Sequence, residues 1–362
     1  MIIGVDAGAL AVTDERLKVG VYRVTSELLK TLTVLDEKND YRLYSFRPIE
    51  QGIMDTLGRR MTNVVLAPST GWLSVRLPIE LMRKPVDIFL GLSQALPQNS
   101  SYNIGFVYDV GFLHQPENYH GAAPKLRKQT EVAVSRSDHI ITISHASKSD
   151  LVNAYPGVSA KISVAYPGVS HEFKPGGDVF RPSRPYFLTV GSLSKVKNIP
   201  TLIRAFARCI KTMKVPYSLI LAGGDYWKNP EIMRTIEETD ASRFLSLPGY
   251  IPDSELPAYY RGARAFVTVS PYEGFCLPVV EAMACGCPVI GARSGGTAEV
   301  IGDAGICIDP FDEARIADAL FTLAQDQKTR DRLRLLGLKR SRLFSWNAFG
   351  THVLNKISSY EH

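Results

Sequence analysis

The sequence predicts an α/β protein made of two doubly wound parallel-sheet domains. Three observations carry that reading. The chain is 362 residues long, which at about 150 residues per domain suggests two, each able to bury its own core. Short apolar runs without clean alternation recur between helical stretches, as expected of strands buried on both faces. A segment dense in Pro and Gly then interrupts the alternation before it restarts.

The elements follow in order. Strands are expected at 2–6, 42–46, 63–66, 88–90, 104–108, 139–144 and 161–165. Between them Val21, Val24, Leu28, Leu32 and Leu35 recur at helical spacing. The break is YPGVSHEFKPGGDVFRPSRP, residues 166–185. Strands resume at 186–190, 218–222, 244–247, 265–269, 288–292 and 305–308. A helix after the first of these carries Ile199, Leu202, Ile203, Phe206, Ile210 and Met213 as one core-facing stripe. The chain ends in an amphipathic helix from Trp346. The expected division is a domain at 1–172, a linker at 173–185 and a domain at 186–345, with a final helix at 346–362. The two Rossmann-like domains face each other across a cleft in this reading, with ligands at the carboxyl ends of the strands.

Composition excludes several classes. Hydrophobic residues are 45% and charged residues 22%, which rules out disorder, collagen and a disulfide-stapled scaffold. No run approaches the ~20 apolar residues of a bilayer span, and the N-terminus lacks the basic region of a signal peptide. A cytosolic protein is expected, with peripheral contact at the inner membrane face as a further expectation. The five cysteines, Cys209, Cys276, Cys285, Cys287 and Cys307, are odd in number and irregularly spaced. They read as reduced, buried thiols rather than a metal clip. The first 180 residues carry 19 Lys/Arg against 18 Asp/Glu, the rest 23 against 18. Much of the excess lies between Lys328 and Arg342, read as a solvated helix face or, less simply, a surface that touches an anionic membrane or nucleic acid. The tract 71–84, GWLSVRLPIELMRK, mixes apolar and basic residues. It fits a membrane interface, an acceptor-site wall or the core.

The loop after 265–269 is the most informative. Glu273 precedes Gly274, and a helix is expected to begin near Cys276–Pro278 and stop at Gly286. The first N–H groups of such a helix favour a phosphate. Glu281 lies about 6 Å deeper along the axis, a distance that suits a ribose hydroxyl beside a diphosphate.

The run SPYEGFCLPVVEAMACGCPVIGARSGGTAEVIGDAGICIDPFD, with PGYIPDSELPAYYRGARAFVTVS before it, resembles the signature region of retaining glycosyltransferases of family four. Glu273 and Glu281 match its E-x7-E motif. ISHASKSDLVNAYPGVSAKISVAYPGVSHEFKP and the FSW at 344–346 are similar to further family segments. The resemblance implies the glycosyltransferase B fold and a C-terminal helix that crosses back onto the first domain. It assigns the ribose to Glu281, and the donor sugar and diphosphate to Glu273 with the backbone of Gly274, Phe275, Cys276 and Leu277. The loop Gly191-Ser192-Leu193-Ser194-Lys195-Val196-Lys197 is similar to the family's Gly-x-Leu-x-x-x-Lys loop. Lys197 then matches the phosphate-binding lysine. The family's neighbouring arginine is absent here, and Lys195 stands as its substitute. Gly20, in Lys18-Val19-Gly20, would let backbone approach the diphosphate. Tyr108-Asp109 stands where relatives have His-Asp, which implies substrate contact; His114 is a fallback. Ser294-Gly295-Gly296-Thr297 resembles a loop beside the diphosphate, with Glu299 either there or capping the next helix.

Retention by a front-face route is implied, in which a diphosphate oxygen deprotonates the acceptor hydroxyl. No cofactor and no metal are expected; the nucleotide-diphosphate sugar is the substrate, GDP-mannose first and UDP-sugars second. The expected acceptor is a saccharide or polyprenyl-linked saccharide in cell-surface polysaccharide assembly, including lipopolysaccharide and O-antigen. Nucleic acid is not an expected partner. The alternative from another class is a nucleotide-sugar-binding protein without catalysis. A nicotinamide dehydrogenase is disfavoured because no Gly-x-Gly-x-x-Gly follows the first strand.

Overall fold

The structure is a computed structural model that describes residues 1–14, 18, 20–119, 121–224 and 229–360. Val19, part of the expected glycine loop, lies outside the described residues. The chain divides into two compact units, Met1–Pro167 with Ser345–His362, and Gly168–Phe344.

The first unit contains β1 (Ile2–Asp6), α1 (Gly20–Leu35), β2 (Asp40–Ser45), α2 (Gln51–Met54), β3 (Met61–Val65), α3 (Leu77–Arg83), β4 (Ile88–Gly91), β5 (Tyr102–Phe106), α4 (Gly111–His114), α5 (Ala123–Arg136), β6 (His139–Thr142), α6 (His145–Ala154) and β7 (Ile162–Val164). The second holds β8 (Tyr186–Val190), α7 (Ile199–Ile210), β9 (Ser218–Ala222), α8 (Pro230–Glu238), β10 (Leu245–Gly249), α9 (Leu256–Gly262), β11 (Ala265–Thr268), α10 (Leu277–Ala284), β12 (Val289–Ala292), α11 (Gly295–Ile301), β13 (Ile306–Ile308), α12 (Glu313–Gln325) and α13 (Gln327–Ser341). The chain closes with α14 (Trp346–Ser358), in the first unit.

Every pairing is parallel. The seven-stranded sheet runs β3-β2-β1-β4-β5-β6-β7 and the six-stranded sheet β10-β9-β8-β11-β12-β13. Each winds outward one way from its first strand and then reverses. That leaves one switch point per sheet, beside β1 and β4 and beside β8 and β11. The central strands are buried apolar runs, as in Ile88, Phe89 and Leu90 or Ala265, Phe266 and Val267, while the edge strands β3 and β10 are partly exposed.

In the first unit α14 lies close on α1. A Cβ on Gly350 would sit 2.5 Å from Thr31 Cγ2, and Phe349 meets Phe106 with ring centroids 6.2 Å apart. Ser163 Oγ also joins His139 Nε2 at 2.7 Å and His352 Nε2 at 2.8 Å, tying α14 to β6 and β7. Burial pushes the His139 imidazole down to about 4.

In the second unit Ile199, Leu202, Ile203 and Phe206 of α7 are fully buried under the sheet, with Ile210 and Met213 packed beside them. The segment expected as a linker packs instead onto α9. Phe180 stacks on Tyr259 at 4.0 Å. Arg261 donates to Asp178 O at 2.6 Å and Lys174 O at 3.1 Å. These contacts draw the Pro/Gly segment into the second unit, so the boundary falls at Pro167, ahead of the expected 172.

The basic cluster of α13 is partly spent inside the fold. Arg330 donates to Leu323 O and Ala324 O, and Arg340 to Val300 O and Glu299 O. Both satisfy carbonyls that the ends of α12 and α11 leave without intrahelical partners. Among the described residues, no helix is long and apolar enough to cross a membrane.

Candidate functional site

The loops that follow β8 and β11 flank the switch point of the second sheet. After β8 the chain passes Gly191 and the exposed Ser192, and buries Leu193. It then makes a 3-10 turn over Lys195–Lys197 and enters α7 through Asn198. The Asn198 amide donates to Pro310 O at 2.7 Å and its oxygen accepts from Thr201 Oγ1 at 2.7 Å, which fixes the turn.

After β11 the chain passes Ser270, Glu273 and Gly274 to Cys276, left-handed at φ 72°, which caps α10. Pro278 lies in the first turn, and Gly286 (φ 74°) follows the last. The helix therefore begins and ends where its proline and glycine require.

Lys197 Nζ donates to Glu273 Oε1 across 76 positions of sequence. Their side chains stay 24% and 19% exposed, so the pair is held and still open to solvent. Gly191 backs the lysine: a Cβ there would lie 3.5 Å from Lys197 Cε. Cys276 is buried beside the pair; burial first, and then the Glu273 charge, push its thiol up to about 12. Phe275 is buried and meets Phe344 edge-on at 5.4 Å. Lys195 is exposed and makes no ion pair with another described residue.

The small residues at the start of α11 serve the Glu273 loop itself. Gly296 N donates to Glu273 O at 2.8 Å. A Cβ on Gly296 would fall 2.0 Å from Gly274 O, and one on Gly295 2.8 Å from Glu273 O. No side chain fits at Gly296 unless the loop moves. The sequence reading put these glycines beside a diphosphate; their contact in the structure is with the loop that carries Glu273. The hydroxyls of Ser270, Ser294 and Thr297 are buried in the same region without a hydrogen-bond partner among the described residues. Such groups are costly unless something pairs with them.

Glu281, one turn into α10, is only 3% exposed. Its Oε2 accepts from the Tyr260 hydroxyl at 3.1 Å. Tyr260 was missed by sequence reasoning. It sits in a Tyr-Tyr pair on α9, where the only signal was an aromatic that reads as core.

The first unit places its expected residues differently. Gly20 opens α1, and a Cβ there would meet no atom within 4 Å, so the fold alone does not require glycine. Tyr108 is buried, and its hydroxyl donates to Leu92 O at 2.6 Å. The proton expected to face substrate is thus spent inward, and burial raises its pKa above the ordinary 10.0. Asp109 accepts from Gly111 N at 2.9 Å, in the turn that leads into the short α4. His114 lies 3.5 Å from Asp150. Glu27 holds Lys30 three residues on at 2.9 Å, and Glu50 lies 3.6 Å from the distant Lys18. At this sheet's own switch point Asp6 accepts from Ser93 Oγ and from Gly8 N.

Comparison with known proteins bears on this arrangement. Residues 172–339 match the model of the family described as glycosyl transferases group 1. The chain is 30% identical over 282 residues to O-antigen chain mannosyltransferase B of Escherichia coli, covering 74% of this chain and 73% of that protein. It is also 30% identical over 192 residues to sucrose-phosphate synthase of Spinacia oleracea, but spans only 18% of that longer protein. Among solved structures, sucrose-phosphate synthase from Thermosynechococcus elongatus superposes with a TM-score of 0.80 at 18% identity, covering 99% of this chain and 98% of that one. HepE of Anabaena in complex with UDP and glucose gives 0.75 at 18% identity, covering 99% of each chain. The likeness extends over both units and shows the glycosyltransferase B fold. The chain belongs to the group 1 glycosyl transferases.

Proposed function

We propose that this chain transfers a hexose from a nucleotide-diphosphate sugar to a saccharide or lipid-linked saccharide, in the assembly of a cell-surface polysaccharide. The observation that carries the reading is the Lys197–Glu273 pair at the switch point of the second sheet, at the entrance to α10. Diphosphate charge is stabilised there by the lysine and by the first N–H groups of α10. The unpaired hydroxyls of Ser270, Ser294 and Thr297 supply further donors in the same region. Glu281, oriented by Tyr260, is the ribose ligand, and Glu273 orients the donor sugar.

In this reading the bond between the anomeric carbon and the diphosphate breaks as Lys197 neutralises the leaving oxygen. That oxygen takes the acceptor proton, and the new glycosidic bond forms on the same face. The protein contributes position and charge rather than a nucleophile, and no metal takes part. GDP-mannose is the first donor to try, since the relative matched over most of its length is named a mannosyltransferase. A UDP-sugar is the second, favoured by the fold shared with a UDP and glucose complex.

Thermal shift with GDP, UDP, ADP and dTDP, with EDTA present, tests the proposal. A ligand at 100 times its dissociation constant stabilises by about 2.7 kcal/mol. A selective GDP response supports mannose-type donors and a UDP response redirects the donor. No response to any nucleotide defeats the reading. Binding without transfer to any acceptor would make the chain a nucleotide-sugar-binding protein.

A further inference from the structure

The C-terminal end of α10 opens on a cavity that the candidate site does not use. It measures about 280 Å³ and lies wholly within the second unit, between the segment that follows Gly168 and the end of α13. Phe173, Ala284, Leu338 and Phe344 give it apolar walls. The charged groups on its lining, Lys174 and Arg342, are both cations. Both are exposed, and neither side chain is bonded to another described residue. α10 and α13 both end at this wall, and a helix C-terminus counts as about half a negative charge. Two full cations outweigh two such ends, so the cavity is apolar and net positive.

Its two aromatic walls each lean on the candidate site. Phe173 meets the Tyr260 ring with centroids 6.0 Å apart, and Tyr260 holds Glu281 at 3.1 Å. Phe344 meets Phe275, two residues after Glu273, at 5.4 Å. Ala284 lies on α10 three residues after Glu281. Short chains of contact thus lead from one cavity to both carboxylates, over about 12 Å of helix. A close-packed interior transmits displacement along such chains rather than absorbing it.

We infer that this cavity is an effector site for a small anion with an apolar body, an aryl or alkyl carboxylate or phosphate, whose binding tightens that of the nucleotide. Its volume stands at the lower end of small-molecule sites, roughly 300–1,000 Å³. The apolar body packs on Phe173, Leu338 and Phe344, and the anion pairs with Arg342 and Lys174. Phe173 and Phe344, held in this way, fix Tyr260 and Phe275. Glu281 and the Glu273 loop then meet a nucleotide already ordered, which lowers the cost of binding it. The effector role rests on the donor reading; the cavity's own ligand does not.

Phenyl phosphate is the probe, titrated by ligand-observed NMR beside inorganic phosphate and benzyl alcohol, the two halves of its chemistry. It should bind, and each half should bind far more weakly. Arg342→Glu and Lys174→Glu should each weaken it at least about fivefold, the upper worth of one exposed ion pair, with the melting temperature within a few degrees of wild type. Lys197→Ala, which strips the candidate site of its cation, should leave probe binding unchanged. With the probe bound, the amides of α10 should exchange more slowly while those of α5 in the first unit keep their rates. The dissociation constant of the nucleotide should fall at least about fivefold, the low end of ordinary coupling between sites. The exchange measurement needs no nucleotide, so a failed donor reading and a failed effector site are told apart. Probe binding that is absent, matched by inorganic phosphate, retained in both charge reversals or lost in Lys197→Ala overturns the inference. So does unchanged exchange in α10, or a bound nucleotide whose affinity the probe leaves unchanged or weakens.

Discussion

The two sheets wind in the same order, so each has a switch point, yet the two points hold different chemistry. In the second unit the loops after β8 and β11 bring Lys197 against Glu273 with both side chains still reachable by solvent. In the first, the end of β1 and the loop after β4 bring Asp6 against Ser93, and Asp6 is 1% exposed. Burial raises that carboxyl above its ordinary 3.8. Tyr108, from the loop after the neighbouring β5, also turns inward to Leu92 O. Topology thus supplies the same kind of crevice twice. Exposure and opposite charge leave one of them an ion pair open to solvent, whereas the other is closed by its own hydrogen bonds.

The sharpest break of this contrast is kinetic. Lys197→Ala and Glu273→Ala should each lower transfer by about 10²–10³-fold, the usual cost of removing one preorganised stabiliser of developing charge. Asp6→Asn should change turnover only a few-fold. A coupled assay for released nucleoside diphosphate reads all three. If Asp6→Asn costs more than Lys197→Ala, the closed switch point is the chemical one and the comparison is wrong.

Two glycines sharpen it sterically. Gly296→Ala puts a Cβ 2.0 Å from Gly274 O, which the Glu273 loop can relieve only by moving. Overpacking of this kind costs about 1–3 kcal/mol, and the melting temperature should fall together with nucleotide affinity. Gly20→Ala meets nothing within 4 Å and should leave the melting temperature unchanged. A rise in donor KM without a change in melting would then mark Gly20 as a position kept small for ligand. A fall in melting for Gly20→Ala would show instead that the glycine serves the fold.

Tyr260→Phe removes the hydroxyl that holds Glu281, a buried hydrogen bond whose loss costs about 1–3 kcal/mol. A positioning role predicts that donor KM rises while kcat is little changed. Equal losses in kcat and kcat/KM would place Tyr260 nearer the reacting atoms than its geometry indicates.

Much of the fold was legible because parallel strands buried on both faces leave unbroken apolar runs. The expected strands at 186–190 and 218–222 coincide with β8 and β9. The run at 104–108 was read two residues late. Tyr102 and Asn103 pair with Ile88 and Phe89 although one is aromatic and the other polar, and sequence hydrophobicity does not show such partners. The Pro/Gly segment was read as a linker between domains, because composition reports turns and not what the turns lie against, here Tyr259 and Arg261. At the site, Glu273, Lys197 and the limits of α10 were legible from motif and helix punctuation. Tyr260 was not, since hydrogen bonding to Glu281 depends on how α9 meets α10. Nor was the inward turn of the Tyr108 hydroxyl, which depends on where the Leu92 carbonyl lies.

The smallest effect concerns the closed switch point and pH. Because the Asp6 carboxyl is raised in the folded chain, folding binds its proton more tightly than the unfolded chain does. Stability is then reduced at pH values above the raised folded value, where a buried carboxylate must stay charged. It recovers as the pH falls through that value towards the ordinary 3.8. Asp6→Asn carries no such proton. Hydrogen exchange at the β1 and β4 amides, followed from pH 7 downwards, should therefore show wild-type protection rising relative to Asp6→Asn after correction for intrinsic exchange rates. Protection that falls relative to the variant would mean that Ser93 and Gly8 hold Asp6 as a carboxylate. The first unit's switch point would then be an anion site in its own right, and the difference between the two sheets would be one of exposure alone.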